Sequence, residues 1–139
     1  IRDGDRLKVR IPSITFAPNT PDYIKVDPEK ALKNQDVIKR LAEIFKKFSK
    51  YRILVVGHAN RDKYDPAVNP TGAAKEQNEE LLPLSKSRAD AIRSALIAEG
   101  IEARRITTEG KGGAEPVAAF DDRDNWWKNR RVEFILVRE

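Results

Sequence analysis

A four-residue apolar run near the middle of the chain constrains the fold most. Ile53-Leu54-Val55-Val56 is rich in branched side chains and ends at Gly57. Because successive residues of a strand face opposite sides, a run that is apolar at every position predicts an internal strand. Such a strand is covered on both sides or lies at the centre of its sheet.

The N-terminal third predicts one strand and one long helix. Between Arg6 and Phe16 apolar residues alternate with charged ones, which predicts a strand, and the prolines that follow give it an irregular exit. We therefore expect residues 1–27 to form the first strand and a lead-in. Asp27-Pro28-Glu29 is typical of a helix start, and apolar residues at helical spacing behind it predict an amphipathic helix from Pro28 to Lys47.

A second helix is predicted after a long excursion. The segment from Asn60 to Pro83 contains three prolines and a glycine among few apolar residues, so it predicts a long inserted loop with a short helical piece at residues 73–81. Ser85 is a good N-cap, and apolar residues follow it at helical spacing. Gly100 is placed to end this helix.

Two strands close the chain. Residues 105–109 and 131–137 have strand patterns, and a glycine-rich turn and a predicted helical turn at residues 121–129 separate them. The order β-α-β-α-β-β predicts an α/β two-layer sandwich with a mixed four-stranded sheet and a long inserted loop. We expect a single domain over residues 1–139, since 139 residues are enough to bury one core.

Composition excludes several functional classes. The chain has no cysteine, which excludes disulfides, thiolate metal sites and cysteine nucleophiles. Its 27 basic and 22 acidic residues are mostly interleaved, so the net charge of +5 is a weak indication of a polyanion partner. No nucleic-acid-binding motif is present, and the aromatic and basic cluster at residues 126–131 leaves nucleic-acid binding only as a third hypothesis. No stretch approaches the roughly 18 apolar residues of a membrane span, and the chain starts at Ile1, so we interpret it as a fragment or a processed form.

No catalytic or metal-binding arrangement emerges from the sequence. His58 is the sole histidine and has no cysteine to act with, so we expect it to hydrogen-bond the neighbouring loop. Ser85 and Ser87 lack a nucleophile elbow. The acids at residues 121–124 lack the ligand spacing of a calcium loop. We therefore expect neither enzyme activity nor a cofactor.

Three blocks in chain order carry a resemblance to a known family. Residues 56–60 (VGHAN) are similar to a strand end that reads Gly-His-Thr-Asp, residues 84–89 (LSKSRA) fit a helix opening Leu-Ser-x-x-Arg-Ala, and residues 129–133 (NRRVE) match a closing strand Asn-Arg-Arg-Val-Glu. With these blocks, residues 28–139 resemble the OmpA-like C-terminal domain family, shared with flagellar stator proteins and peptidoglycan-associated lipoproteins. This resemblance implies the α/β fold predicted above.

The resemblance also implies a function and a site. Domains of this family are not enzymes but hold the peptide stem of peptidoglycan, with an aspartate facing the ammonium of its diamino acid and an arginine facing its carboxylate. Arg88 occupies the position of that arginine, and Asn60 that of the aspartate. A zwitterion needs one charge of each sign, and the planar fork of an arginine suits a carboxylate. The resemblance places Asn78, Arg130 and Arg131 around the same pocket.

Two departures from the family pattern concern this site. Asn60 accepts a hydrogen bond from an ammonium but does not neutralise it, so we expect a weakened or altered site. Asn78 stands three residues out of the family register relative to Ser85. Two interpretations stay open. Either Asp62 or Asp65 replaces the missing carboxylate, or the scaffold has lost peptidoglycan binding and is a protein-interaction or structural module.

The resemblance further implies where the chain works and with what. We expect a periplasmic domain, outer-membrane-associated, in a diderm bacterium. Its expected partner is the peptidoglycan stem peptide. The second hypothesis makes another envelope protein or a preceding domain of the same chain the partner, bound through residues 60–83.

Overall fold

The computed structural model describes residues 2–3, 6–9, 14, 16 and 28–138. In chain order the elements are β1 (Arg2–Asp3), β2 (Arg6–Val9), α1 (Pro28–Lys47), β3 (Tyr51–Gly57), α2 (Pro70–Glu76), α3 (Leu82–Ala98), β4 (Ile106–Gly110) and β5 (Val132–Arg138). A π-helical turn, Gln77–Leu81, joins α2 to α3. Short 3-10 helices occupy Ala103–Arg105 and Arg123–Asn129.

The strands form one mixed sheet in the order β1-β2-β5-β3-β4. β3 and β4 are parallel, with Gly57 opposite Gly110, whereas β5 runs antiparallel to both of its neighbours, β3 and β2. β3 therefore lies inside the sheet, as its apolar run predicts. The mixed α/β class is confirmed. The expected count of four strands is not, because Arg2–Asp3 pairs with β2 as a fifth strand.

The first long helix has the predicted bounds, Pro28–Lys47. The cap expected at Asp27 and the irregular exit of the first strand lie outside the described residues. Glu29 lies in the first turn and Lys46 and Lys47 in the last, so these charges oppose the partial charges at each end of the helix. No helix among the described residues is both long and apolar enough to cross a membrane.

Helices α1 and α3 cover one face of the sheet, as expected of two layers. Their buried residues meet alternate residues of β3 and β5 in one hydrophobic cluster. Phe45 of α1 and Phe134 of β5 are both fully buried, and their ring centroids lie 5.8 Å apart. Ile14 and Phe16 belong to the same cluster. The core thus holds the sheet against both helices and fixes the position of the strand ends.

The second helical region begins at Pro70 and not at Ser85. The short helical piece predicted at residues 73–81 is present, because α2 and the π turn cover residues 70–81, but it continues into α3, so the inserted loop is shorter than predicted and ends at Asn69. Asn69 is the N-cap of α2, since its Oδ1 accepts a hydrogen bond from Gly72 N at 2.9 Å and Pro70 follows it. The helical backbone then continues through the π turn, where Leu82 N donates to Gln77 O. Pro83 looked like an interruption but is accommodated just after this irregular turn.

Ser85 is a buried residue within α3 and does not cap it. Its hydroxyl donates to Leu82 O at 3.0 Å and accepts from Gly112 N at 2.8 Å. A Cβ atom on Gly57 would lie 1.9 Å from Ser85 O, and one on Gly110 would lie 2.7 Å from Ser85 Oγ. The helix therefore crosses the ends of β3 and β4 in direct contact with two glycines that have no side chain to displace it.

Candidate binding cleft

A cleft of about 440 Å³ opens where β3 and β4 end. Its walls come from residues 59–61 after β3, residues 65–67 of the following loop, residues between 113 and 120, and Asn129. Most of these residues are small or apolar. Arg61 and Asp65 are the charged residues among those that line it, so the cleft presents one charge of each sign. We call it the binding cleft.

Asn129 lines the binding cleft, and its side chain links two segments of the cleft wall. It is 3% exposed, and its Oδ1 accepts from Val117 N at 2.8 Å and Ala118 N at 2.9 Å. Its Nδ2 donates to Ala118 O at 3.0 Å and to Asn60 Oδ1 at 2.8 Å. Because both amide hydrogens and both acceptor sites are used, Asn129 ties the loop at residues 117–118 to the end of β3.

Asn60 also lines the binding cleft and is hydrogen-bonded to Asn129. Its Nδ2 donates to Arg61 O at 2.9 Å, and its Oδ1 accepts from Asn129. The Arg61 side chain in turn donates from NH1 to Ala73 O of α2 at 2.9 Å. Asn60 thus supplies a neutral amide where the family pattern has a carboxylate, and Arg61 joins that wall to the helical layer.

Arg88 lies directly behind this wall and is fully buried. Its NH1 donates to His58 O at 3.2 Å, and its guanidinium lies 5.1 Å from the centroid of the Phe16 ring. Burial, and then the positive charge of Arg130, lower the pKa of Arg88 to about 10. Since the helical region starts at Pro70, Arg88 lies in its interior and not in a first turn.

Arg130 and Arg131 have different surroundings. Arg130 is half-buried and donates from Nε to Phe16 O at 3.0 Å, so it approaches the same segment as Arg88. Burial lowers its pKa, and the negative charge of Asp62 opposes this. Arg131 is bound to Glu133 at 2.8 Å and donates to Glu115 O at 2.9 Å. Neither arginine lines the binding cleft.

Gln77, and not Asn78, contacts the loop at the rim of the binding cleft. Asn78 is exposed on the π turn and does not line the cleft. Gln77 instead donates from Nε2 to Lys111 O at 2.9 Å and accepts at Oε1 from Gly113 N at 2.8 Å, which fixes the rim of the cleft. No sequence pattern points to Gln77, although it directly precedes Asn78.

The carboxylates near the cleft fall into two groups. Asp65 lines the cleft, and its Oδ1 accepts from Ala67 N at 3.0 Å. Asp62 is exposed and lies beside Glu76, whose Oε2 accepts from the backbone amides of Asp62 and Lys63 at 3.2 and 3.1 Å. Burial and a hydrogen bond with the Asp62 carboxyl raise the pKa of Glu76. No local sequence pattern points to Glu76, because its partners lie 13 and 14 residues away.

His58 is a buried neutral side chain behind the cleft. Neither ring nitrogen has a hydrogen-bond partner among the described residues, and Nε2 lies 3.6 Å from Glu133 Oε1. Burial, and then the charge of Arg131, lower its pKa to about 4 against the opposing effect of Glu133. The expected hydrogen bond from its ring to the neighbouring loop is therefore not seen. The backbone of His58 is hydrogen-bonded instead, since His58 N donates to Arg131 O at 2.8 Å.

Comparisons with known proteins point to one family. The model of the OmpA family matches residues 28–130. The probable lipoprotein YiaD of Escherichia coli is 29% identical over 97% of this chain and 53% of its own length. A peptidoglycan-associated lipoprotein of Agrobacterium fabrum is 32% identical over 73% of this chain and 50% of its own length. The chain thus spans about half the length of these relatives.

Among solved structures, the cell wall anchor of the type VI secretion system (T6SS) from Pseudomonas aeruginosa has the same fold. The two chains superpose with a TM-score of 0.62 and 28% identity, over 91% of this chain and 76% of the anchor.

Proposed function

The chain belongs to the OmpA family, and on that premise we propose that it binds peptidoglycan and anchors a cell-envelope protein to the cell wall. Domains of this family are non-catalytic. The names of two similar proteins, a peptidoglycan-associated lipoprotein and a cell wall anchor, support the proposal. We further propose a periplasmic location, associated with the outer membrane of a diderm bacterium.

The observation that carries this proposal is the pair of opposite charges in the binding cleft. The diamino acid of a stem peptide presents an ammonium and a carboxylate on one side chain. In our proposal Asp65 receives the ammonium, in place of the carboxylate that Asn60 lacks, and Asn60 accepts one of its hydrogen bonds. Charge-assisted hydrogen bonds are roughly twice as strong as neutral ones, so Asp65 contributes most to this half of the site.

The other half of the proposed site is positive. Arg61 lines the cleft directly, and Arg88 and Arg130 add positive charge behind it. In our proposal the ligand carboxylate lies against Arg61, and the charges of Arg88 and Arg130 favour it from a longer distance. We leave Asn78 and Arg131 out of the proposed contacts, because Asn78 is exposed away from the cleft lining and Arg131 is engaged by Glu133 and Glu115.

An NMR titration with soluble muropeptides tests this proposal. Amide shifts are expected at residues 60, 65, 113 and 129 with millimolar ligand, and their absence would overturn it. Asp65→Asn should weaken binding about tenfold, because the ammonium loses its counter-charge. Asp62→Asn is the matched control, since Asp62 is exposed in the same loop but does not line the cleft. Equal losses in both variants would show that Asp65 has no specific role.

A second candidate function rests on the exposed apolar residues of the loop after β3. Val68 is 80% exposed and Tyr64 39%, next to the cleft residues 65–67. This surface suits a protein partner, either another envelope protein or a preceding domain. Val68→Asp together with Tyr64→Asp should then abolish cross-linking to that partner in intact cells and leave muropeptide binding unchanged. Unchanged cross-linking would rule out this surface.

A further inference from the structure

A second cleft, of about 340 Å³, lies at the opposite end of the sheet from the binding cleft. It is formed where α1 ends, where β3 begins and where the chain turns from α3 into β4. Four of the residues that line it are cationic and one is acidic: Lys46, Arg52, Arg104, Arg105 and Glu102. The lining therefore carries an excess of three positive charges, in a chain whose charges are otherwise mostly interleaved.

Arg105 forms the floor of this cationic cleft. Its NH2 donates to Phe45 O at 3.1 Å, Phe48 O at 2.9 Å and Tyr51 O at 2.9 Å, and its Nε donates to Tyr51 O at 3.2 Å. One edge of the guanidinium thus satisfies carbonyl groups in the last turn of α1 and just after it, which is a structural role. These neutral carbonyls leave its positive charge uncompensated by any carboxylate among the described partners.

Of the other cations, Lys46 lies in the last turn of α1 and Arg104 in the short 3-10 helix before β4. Arg104 is 83% exposed at its side chain and pairs only with the exposed Glu102 among its described contacts, at 2.7 Å. Arg52 belongs to a strand. The amine of Lys46 lies over Gly100, close enough that a Cβ there would be 3.2 Å from Nζ. The Lys46 side chain thus extends over the turn that follows α3, towards the other residues that line the cationic cleft.

We propose that this cationic cleft binds a phosphate group. Three excess positive charges within one concave site favour a ligand with more than a single negative charge. Arginine forks match phosphate oxygens, and a lysine amine adds a mobile point charge. The hydroxyl of Ser49, which also lines the cleft, is a further donor. The phosphate belongs either to a small free anion or to a phospholipid headgroup.

The cationic cleft and the binding cleft are far apart. β3 runs from Tyr51, beside the cationic cleft, to Gly57, beside the binding cleft. Seven residues of strand span about 20 Å, so ligands in the two clefts would not contact each other. The phosphate site does not depend on the proposed binding of peptidoglycan.

The test uses inorganic phosphate, pyrophosphate and vesicles at low ionic strength. Amide shifts on titration with phosphate or pyrophosphate are expected at Ser49 and residues 100–105. The double variant Lys46→Gln, Arg104→Gln should raise the dissociation constant at least tenfold. Lys39→Gln, Lys75→Gln is the matched control, because it removes the same charge from exposed sites outside both clefts.

Flotation with vesicles then distinguishes the two sources of phosphate. Binding to phosphatidylglycerol vesicles, but not to phosphatidylcholine vesicles, that is lost in the cleft variant and kept in the control assigns the site to a headgroup. Binding of phosphate or pyrophosphate without vesicle binding assigns it to a free anion. If no probe binds, or if the cleft variant and the control lose binding equally, the proposal is wrong.

Discussion

Arg88 and His58 are neighbours behind the binding cleft, joined by the hydrogen bond from Arg88 NH1 to His58 O. Both side chains are almost fully buried, and burial disfavours the charged form of each. The pKa of Arg88 falls only to about 10, so it keeps its charge at neutral pH. The pKa of His58 falls to about 4, so it stays neutral in the folded state. One environment therefore contains a permanent cation and a neutral imidazole.

The lowered pKa of His58 predicts that the folded state loses stability in acid. A histidine whose pKa is about 4 when folded and 6.5 when unfolded contributes stability above pH 6.5 that is lost as the pH falls through 4. Between pH 7 and pH 4 the loss should be on the order of 2 to 3 kcal/mol. Urea unfolding at both pH values measures it. The variant His58→Gln should lose less stability over this range, and an identical loss would contradict the assignment.

A second prediction at this scale concerns Asn60. Asn60→Asp keeps an acceptor for Asn129 Nδ2 and adds a negative charge to the cleft wall, so the muropeptide dissociation constant should fall about fivefold. Fluorescence or NMR titration measures the change. Asn78→Asp is the control, since it makes the same substitution on an exposed residue outside the cleft lining. Unchanged affinity for Asn60→Asp would show that the ammonium lies elsewhere.

At the scale of elements, the contact of α3 with the ends of β3 and β4 decides where the cleft forms. Ser85 lies over Gly57 and Gly110, which are opposite each other in the parallel pair, and binds Gly112 N in the next turn. The helix, two strands and one loop are thereby joined at a single buried point. The loop at residues 111–113 is also held by Gln77, so the start of the π turn and the first turn of α3 together define the rim.

Gly57→Ala should therefore be strongly destabilising. Its Cβ would lie 1.9 Å from Ser85 O, which is backbone and has no rotamer to change, so α3 must shift. We expect a loss of about 3 kcal/mol, at the upper end for overpacked sites. Gly72→Ala is the control, because its nearest neighbours are the side chains of Asn69 and Tyr64, which can move. Thermal unfolding compares the two, and equal stability would contradict the role of this contact.

The elements differ in how far the sequence predicts them. α1, β3 and β5 have clear periodicity and local end signals, and their positions are predicted closely. The start of the second helical region is not, because Pro83 and Ser85 carry the local signals of a helix start while Asn69-Pro70 carries the same signals earlier. Only the contacts of Ser85 with Gly57 and Gly112 show that it lies inside a helix. Those contacts join residues distant in sequence, as do the ones that bury Arg88 and place Gln77 at the rim.

For the whole molecule, the two clefts lie at opposite ends of a sheet held by one core. Phe45 and Phe134 pack at the centre of that core, between α1 and β5. The strand ends, and with them both clefts, keep their positions only while the helical layer stays packed on the sheet. Damage to the centre should therefore affect the stability of the entire described fold.

Phe45→Ala tests this dependence on the core. Removing a fully buried ring leaves a cavity, and the free energy of unfolding should fall by about 3 to 5 kcal/mol. Phe48→Ala is a matched control on the same helix end, since Phe48 is 42% exposed and should cost about 1 kcal/mol or less. Chemical denaturation followed by circular dichroism gives both values. Similar losses in the two variants would contradict the central role of Phe45.

The hydrogen bonds of the Asn129 side chain also affect the rate at which the domain would bind the proposed ligand. Its four hydrogen bonds set the shape of the cleft wall before any ligand arrives, so no loop has to become ordered during the encounter. Association should then proceed in one step, with a rate proportional to ligand concentration. The Val117 amide should likewise exchange its hydrogen slowly, even though the residue is 59% exposed.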